Sequence, residues 1–216
     1  MYRTLLRFSP EHHLSRDIVA DAHQAHKIVM SGFEHLINRN DFFSDHNEQR
    51  HPDHRAAYNV LHAVNVRGNG EIRVIVQSST PGNWDNDWSD ALLEPANTMN
   101  VPLITDGDIR YEITLNPVRR KNGGKNRVPI NSHDEIIQWW HDKAQRSGLK
   151  LLGSPRVINT ERRNVSTKKF KMATATIQGF ASVSDSAALE EAYKSGIGQC
   201  KPYGCGLLLT KRPHKK

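Results

Sequence analysis

Apolar residues recur at three- and four-residue steps through Ile18, Ala22, Ala25, Val29, Phe33 and Leu36, the spacing that gathers one buried stripe along an α-helix. Ser15-Arg16-Asp17 supplies N-cap chemistry near the start of that stripe, so the pattern predicts one long helix running toward Asn38. Tyr2 to Phe8 reads as an opening strand, and the polar stretch from Asn40 to Arg55 reads as a loop. Tyr58 to Val66 and Glu71 to Gln77 are rich in strand formers and are joined by Arg67-Gly68-Asn69-Gly70, which predicts a hairpin. Beyond the breaker Pro81-Gly82, Trp84 to Leu93 suits a short helix. Asp108 to Val118 then alternates as a strand through Ile109, Tyr111, Ile113 and Leu115.

The second half repeats the theme. Arg127 to Ile130 is extended, and a helix from Ser132 or His133 through Gln145 carries Ile136, Ile137, Trp139 and Trp140 before Gly148 closes it. Leu149 to Thr160 and Phe170 to Val183 read as a long hairpin with a basic tip. Asp185-Ser186 caps a helix to Tyr193 or Lys194, and Gly204 to Lys211 is a last strand. The element order describes an α+β chain of two βαββαβ units, a tandem ferredoxin-like fold. With the boundary near Lys121 to Lys125, the expected domains are 1–121 and 122–216.

Charge adds a regional feature. Between Arg119 and Lys171 fourteen Lys and Arg stand against four acids, while the rest of the chain is net negative by three. Such a face can hold a polyphosphate by releasing condensed counterions, or it can simply be a solvated surface; composition leaves both open. No run of roughly 18 apolar residues suggests a membrane span, and Met1 to Pro10 lacks the layout of a signal peptide, so a cytoplasmic protein with no membrane partner is expected. Cys200 and Cys205 are too few for a disulfide framework and read as reduced packing residues.

One run is more specific. Gly196-Ile197-Gly198-Gln199-Cys200-Lys201-Pro202-Tyr203-Gly204-Cys205-Gly206-Leu207-Leu208 resembles the glycine-rich loop before the last strand of CRISPR repeat-processing proteins. Glycines Gly196, Gly198, Gly204 and Gly206 let backbone approach a phosphate or a neighbouring strand, and Lys201 adds a charge. Ala22-His23-Gln24-Ala25-His26-Lys27 sits on the first helix, where the CasE family, the repeat-cutting subunit of type I-E Cascade, places its catalytic histidine. Val76-Gln77-Ser78 with Trp84, Leu115-Asn116-Pro117-Val118-Arg119-Arg120, Arg127-Val128-Pro129 before Trp139-Trp140, and Gly179-Phe180 extend the similarity over nearly the whole chain. The resemblance implies cleavage of CRISPR repeat RNA at the base of its stem-loop and assembly with other Cascade subunits.

RNA is cut without metal when its 2′-hydroxyl is deprotonated in line with the scissile phosphate and an acid protonates the leaving 5′-oxygen. Histidine suits either task near neutral pH. His26 matches the family's catalytic histidine, and His23, three residues earlier on the same helix, stands where relatives commonly carry tyrosine. The expected roles are proton transfer by His26, positioning of the 2′-hydroxyl by His23, and stabilisation of the developing charge by Lys27. Taken without the resemblance, two histidines at a helix edge read as surface residues. The expected RNA contacts are Arg119, Arg120, Lys121, Lys125 and Arg127 at the domain junction, Arg162, Arg163, Lys168, Lys169 and Lys171 on the hairpin, and Lys201. The resemblance implies that Arg162-Arg163 meets the repeat's stem, whose A-form geometry is read through phosphate and shape.

Two other readings use different features. A non-catalytic RNA-binding CRISPR subunit of the same fold would share the charge and the loop. A metal-dependent hydrolase would use His46, His51 and His54 with Asp45 and Asp53, but these lack paired cysteines or a helical His-Glu-x-x-His pattern, so neither a metal nor a cofactor is expected.

Overall fold

Alternation along β1 (Tyr2–Phe8) turns Thr4, Leu6 and Phe8 inward and leaves Arg3, Leu5 and Arg7 on the other face. The computed structural model describes residues 1–36, 54–85, 87–120, 127–168 and 170–213, with the His54 side chain excepted. Residues 37–53, which hold most of the expected polar loop with His46 and His51, and the junction lysines at 121 and 125, lie outside the described residues.

β1 is central in its sheet. It pairs antiparallel with β3 (Ile72–Ser78) from Tyr2↔Ser78 to Phe8↔Ile72, and on its other side with β4 (Asn97–Asn100). β2 (Leu61–Val66) pairs with β3 across the expected Arg67 to Gly70 turn, giving the order β2-β3-β1-β4. The strand Asp108–Leu115, β5, was expected to complete this sheet; instead it pairs with β9 (Phe170–Val183) and β10 (Leu208–Lys211) in a second one. That sheet has the order β10-β5-β9-β8, where β8 is Leu149–Val165. The sheets therefore part between Asn100 and Asp108, ahead of the expected boundary, because the short, polar Asn97–Asn100 takes the place of fourth strand. Both units keep the ferredoxin-like order, so the fold is the tandem one expected.

The helices show two further corrections. The first apolar stripe is split between α1 (His13–Ala20) and α2 (Ala22–Ser31), because Asp21 between them is extended at φ −140° and ψ 116°. His12, not Ser15, is the N-cap of α1, and its Nδ1 accepts from the Leu14 amide. The break turns Ala22 away from the Ile18, Ala25, Val29 and Phe33 core and into a separate cluster with Val165, Met172, Tyr203 and Cys205. A short α3 (His54–Ala57) precedes β2. The helix expected over 84–93 is reduced among the described residues to a 3₁₀ turn, Ser89–Ala91. Asn83 closes a local side-chain turn on the Asp85 amide, and Trp84 is buried in the first core, edge-on to Phe33, with its indole N–H donating to the Ile28 carbonyl.

The second unit is more regular. Strands β6 (Val118–Arg120) and β7 (Arg127–Pro129) form a small hairpin before α4 (His133–Arg146). Trp140 of α4 is fully buried and donates to the Tyr111 hydroxyl at 2.9 Å. α5 (Ser186–Ser195) starts at Asp185, whose carboxylate accepts from the Ala188 amide as expected of a cap. The units meet in an apolar seam of Leu61, Ala63 and Leu207, and the Gln77 amide donates across it to the Tyr193 carbonyl at 2.8 Å.

Candidate functional site

The break at Asp21 makes Ala22 the first residue of a new helix. The Asp21 carboxylate accepts from the His23 amide at 3.0 Å, capping α2, and the three-residue step from His23 to His26 then brings both imidazoles to one side. Their ring centroids are 6.1 Å apart, and both residues are half-buried. Lys27, the next residue on α2, is exposed.

The glycine-rich loop of the second unit closes against this helix. All four of its singled-out glycines have positive φ, from 76° at Gly196 to 88° at Gly206. At Gly206 the reason is close approach, since a Cβ there would lie 2.6 Å from the Ile197 carbonyl oxygen. The loop folds back on itself, with the Ile197 amide donating to the Gly206 carbonyl, and forms a 3₁₀ turn at Lys201–Tyr203. That turn sets the Tyr203 ring edge-on to His26, centroids 6.3 Å apart at 72°. The loop glycines thus serve close packing between segments, and what they deliver to the site is Tyr203.

Behind His26 lies a largely buried wall in which a neutral histidine stands beside positive charge. His62 of β2 is 1% exposed, and its Nε2 has no hydrogen-bond partner. Burial above all, then the neighbouring charges of His26, Arg163 and Arg55, pull its pKa down to about 3, so it is neutral at physiological pH. Arg163 of β8 is 7% exposed and donates to the Ile18 carbonyl at 3.4 Å, with Glu161 at 3.8 Å. Gly204 leaves room for both groups: a Cβ there would lie 3.2 Å from Arg163 Nη1 and 3.4 Å from His62 Nε2. Lys201, half-buried on the same loop, has its pKa lowered by burial and then by Arg55. Two imidazoles, a phenol and fixed positive charge around one half-open place suit a phosphate with a proton to move.

The expected RNA contacts divide by exposure. Arg162, Lys168 and Lys171 are exposed at the end of the β8–β9 hairpin, and Arg119, Arg120 and Arg127 are exposed on the β6–β7 hairpin, where Arg119 also pairs with Glu135 at 2.8 Å. Arg163 stands apart from the rest: strand alternation turns it inward while Arg162 faces out, so it lies in the wall behind His26. Lys169 lies outside the described residues. Sequence reasoning assigned no role to Tyr203, His62, Arg55 or Asp21. An Asp directly before the Ala22-His23 step is a helix-cap signal for the break, masked along the sequence by the continuous apolar stripe; His62 carries no such signal.

Cys200 and Cys205 are free thiols, and burial pushes the Cys205 thiol up. Among the described residues no group of three or more His, Cys, Asp or Glu is placed to hold a metal ion, and no helix is long and apolar enough to cross a membrane. A groove of about 460 Å³ between the two sheets, lined by Val64, Glu112, Thr114, Ile158 and Thr176, touches the site through Arg163 and its partner Glu161.

Solved structures share this fold over almost their full length. The CRISPR endoribonuclease Cse3 bound to a 19-nucleotide RNA superposes with a TM-score of 0.77 at 17% identity, covering 98% of each chain. Cse3 of Thermus thermophilus bound to an RNA representing a pre-cleavage complex gives 0.77 at 19% identity, again over 98% of each. A chain of a CRISPR RNA-guided surveillance complex gives 0.62 at 22%, covering 97% of this chain and 98% of that one. No curated protein matches. The model of the CRISPR associated protein family matches residues 1–212, and the chain belongs to that family.

Proposed function

We propose that this protein is a metal-independent endoribonuclease that cuts CRISPR repeat RNA at the base of its stem-loop and keeps the product within a Cascade complex. The observation that carries the reading is the convergence of His23, His26 and Tyr203 from two units in front of buried positive charge. The relatives of the same fold, an RNA-bound endoribonuclease and a chain of an RNA-guided surveillance complex, support it.

In the reaction, His23 positions the 2′-hydroxyl beside the scissile phosphate and His26 carries the proton transfer. The 2′-hydroxyl proton passes to a general base as its oxygen attacks phosphorus in line, the bond to the 5′-oxygen breaks, and a general acid gives that oxygen a proton; His26 carries one of the two transfers and His23 assists the other. Lys27, with the fixed charge of Arg163 and Arg55 behind, stabilises the extra negative charge of the pentacoordinate state. Tyr203 holds the His26 ring by its edge contact. The products end in a 2′,3′-cyclic phosphate and a 5′-hydroxyl. Arg162, Lys168 and Lys171 on one hairpin, and Arg119, Arg120 and Arg127 on the other, hold the stem through its phosphates.

The test is to incubate the protein in EDTA with the repeat RNA of its own genome and to map the product ends. Cleavage to those ends, abolished by a 2′-deoxy substitution at the cut, is expected. Cleavage at the wild-type rate by His26→Ala would overturn the mechanism. Binding with no cleavage by the wild-type protein would favour the non-catalytic RNA-binding subunit.

A further inference from the structure

The helix break does more than start α2. Asp21 Oδ1 accepts both from the His23 amide at 3.0 Å and from the Ser166 amide at 3.2 Å, and its Oδ2 accepts from the Ser166 hydroxyl. Ser166 opens the 3₁₀ turn Ser166–Lys168 at the tip of the β8–β9 hairpin, so one carboxylate ties the histidine-bearing helix to the basic turn. The backbone of Asp21 runs parallel to Asn164 in a one-residue β-bridge. Two side chains of the same strand end complete the joint: Arg163 donates to the Ile18 carbonyl and Asn164 to the Ala20 carbonyl, both at 3.4 Å. These are carbonyls that the end of α1 leaves without helical partners. Ala22 packs with Val165 and Met172 beneath the joint.

The arrangement is specific in its chemistry. A helix that ran straight through Asp21 would direct its carboxylate elsewhere and would have no free first-turn amide for it to accept from. Asp21 is held ionised by the same contacts: burial opposes the charge, but the Ser166 hydroxyl, the two amides and His23 together bring its pKa below the usual carboxylate value. Two charge-assisted bonds to one turn are directional, which makes the joint stiffer than apolar packing alone.

We infer that Asp21 and Ser166 form a positioning pair that fixes the first turn of α2 to the tip of the basic hairpin, so that RNA held by the hairpin meets His26 at one set place. This rests on the proposed ribonuclease reading for its functional consequence. The hairpin carries Lys168 and Lys171 within a few residues of Ser166, and α2 carries His23 and His26 within five of Asp21. With the pair intact, the distance from the gripped stem to the imidazoles is fixed by covalent and hydrogen-bonded geometry. With it broken, the hairpin is joined to this region by the Arg163 and Asn164 bonds to the end of α1, the one-residue bridge and apolar contacts, and its tip no longer bonds the carboxylate that caps α2.

The experiment uses Ser166→Ala, which removes the exposed hydroxyl and leaves the α2 cap in place, beside Asp21→Ala, which removes both, and Ser166→Thr, which restores a hydroxyl. Single-turnover cleavage of the repeat hairpin, affinity for a 2′-deoxy version of it, and the position of the cut are measured for each. Ser166→Ala is expected to cut about tenfold more slowly and with added cuts at neighbouring phosphates, since small misplacement of reacting groups is costly, while affinity changes less than about twofold. Ser166→Thr is expected to return the rate and the single cut. An unchanged rate and cut in both Ser166→Ala and a folded Asp21→Ala would overturn the pairing. Amide hydrogen exchange at residues 22–26 with and without bound hairpin RNA provides a readout that needs no cleavage. Faster exchange there in Ser166→Ala than in wild type supports the joint even if the wild-type protein proves inactive, and equal exchange refutes it.

Discussion

The two ferredoxin-like units differ in where they spend their regularity. The second has full-length helices, a capped α5, and a hairpin of seventeen and fourteen residues reaching well beyond its sheet. The first has a broken first helix and, among the described residues, only a 3₁₀ turn where its second would lie. The irregular unit carries the histidines, and the regular one carries the basic hairpin and the loop with Tyr203. Neither holds the site alone. A helix that must be capped in mid-course, and a loop that must bring Tyr203 to it, are both departures from a single buried stripe or ladder. They are stable because the seam between the units satisfies them.

The largest expected effect breaks the chemistry and leaves both units folded. His26→Ala should lower single-turnover cleavage by roughly 10²–10⁴-fold, with the affinity for repeat RNA little changed. Next comes the contrast between neighbours on β8. Arg163→Ala removes a buried group that caps the Ile18 carbonyl and should destabilise the fold by about 1–3 kcal/mol, read as a lower midpoint in urea. An unchanged midpoint would show that the inward arginine holds nothing together. His62 sharpens the same seam through pH. Its folded pKa of about 3 lies below the ordinary 6.5, so the unfolded chain binds its proton first and stability falls as pH drops below about 6.5 toward 3. The slope due to this group is at most about 1.4 kcal/mol per pH unit, and His62→Gln should flatten it in urea titrations across that window. The smallest effect is on the surface. Arg162→Ala should leave stability within about 0.5 kcal/mol, weaken RNA binding modestly, and reduce the salt dependence of binding by about one phosphate contact.

Much of the fold was legible because it rests on local patterns. Alternation located β1, β2, β3 and β5, helical spacing with caps located α4 and α5, and the turn-forming run Arg67 to Gly70 located a hairpin. Of the candidate site, His23 and His26 were legible through their spacing and the family resemblance. The glycine run was legible as a loop, but not as the carrier of Tyr203. The apolar stripe from Ile18 to Leu36 concealed the break at Asp21, since alanines at 22 and 25 fit a straight helix as well as two different clusters.

The sequence by itself determined the strongly patterned strands and the helices α4 and α5, where positive charge concentrates, and which histidines stand three apart on one helix, because each depends on residues only a few positions away. Tertiary structure alone decided that Asp108–Leu115 joins the second sheet, that Arg163 faces in while Arg162 faces out, and that His62 is buried and neutral behind His26. It also decided that Asp21 leaves the helix to bind Ser166. Those outcomes depend on partners between 36 and 145 positions away, whose hydrogen bonds and excluded water outweigh local preference, and no window along the chain contains both sides of such a contact.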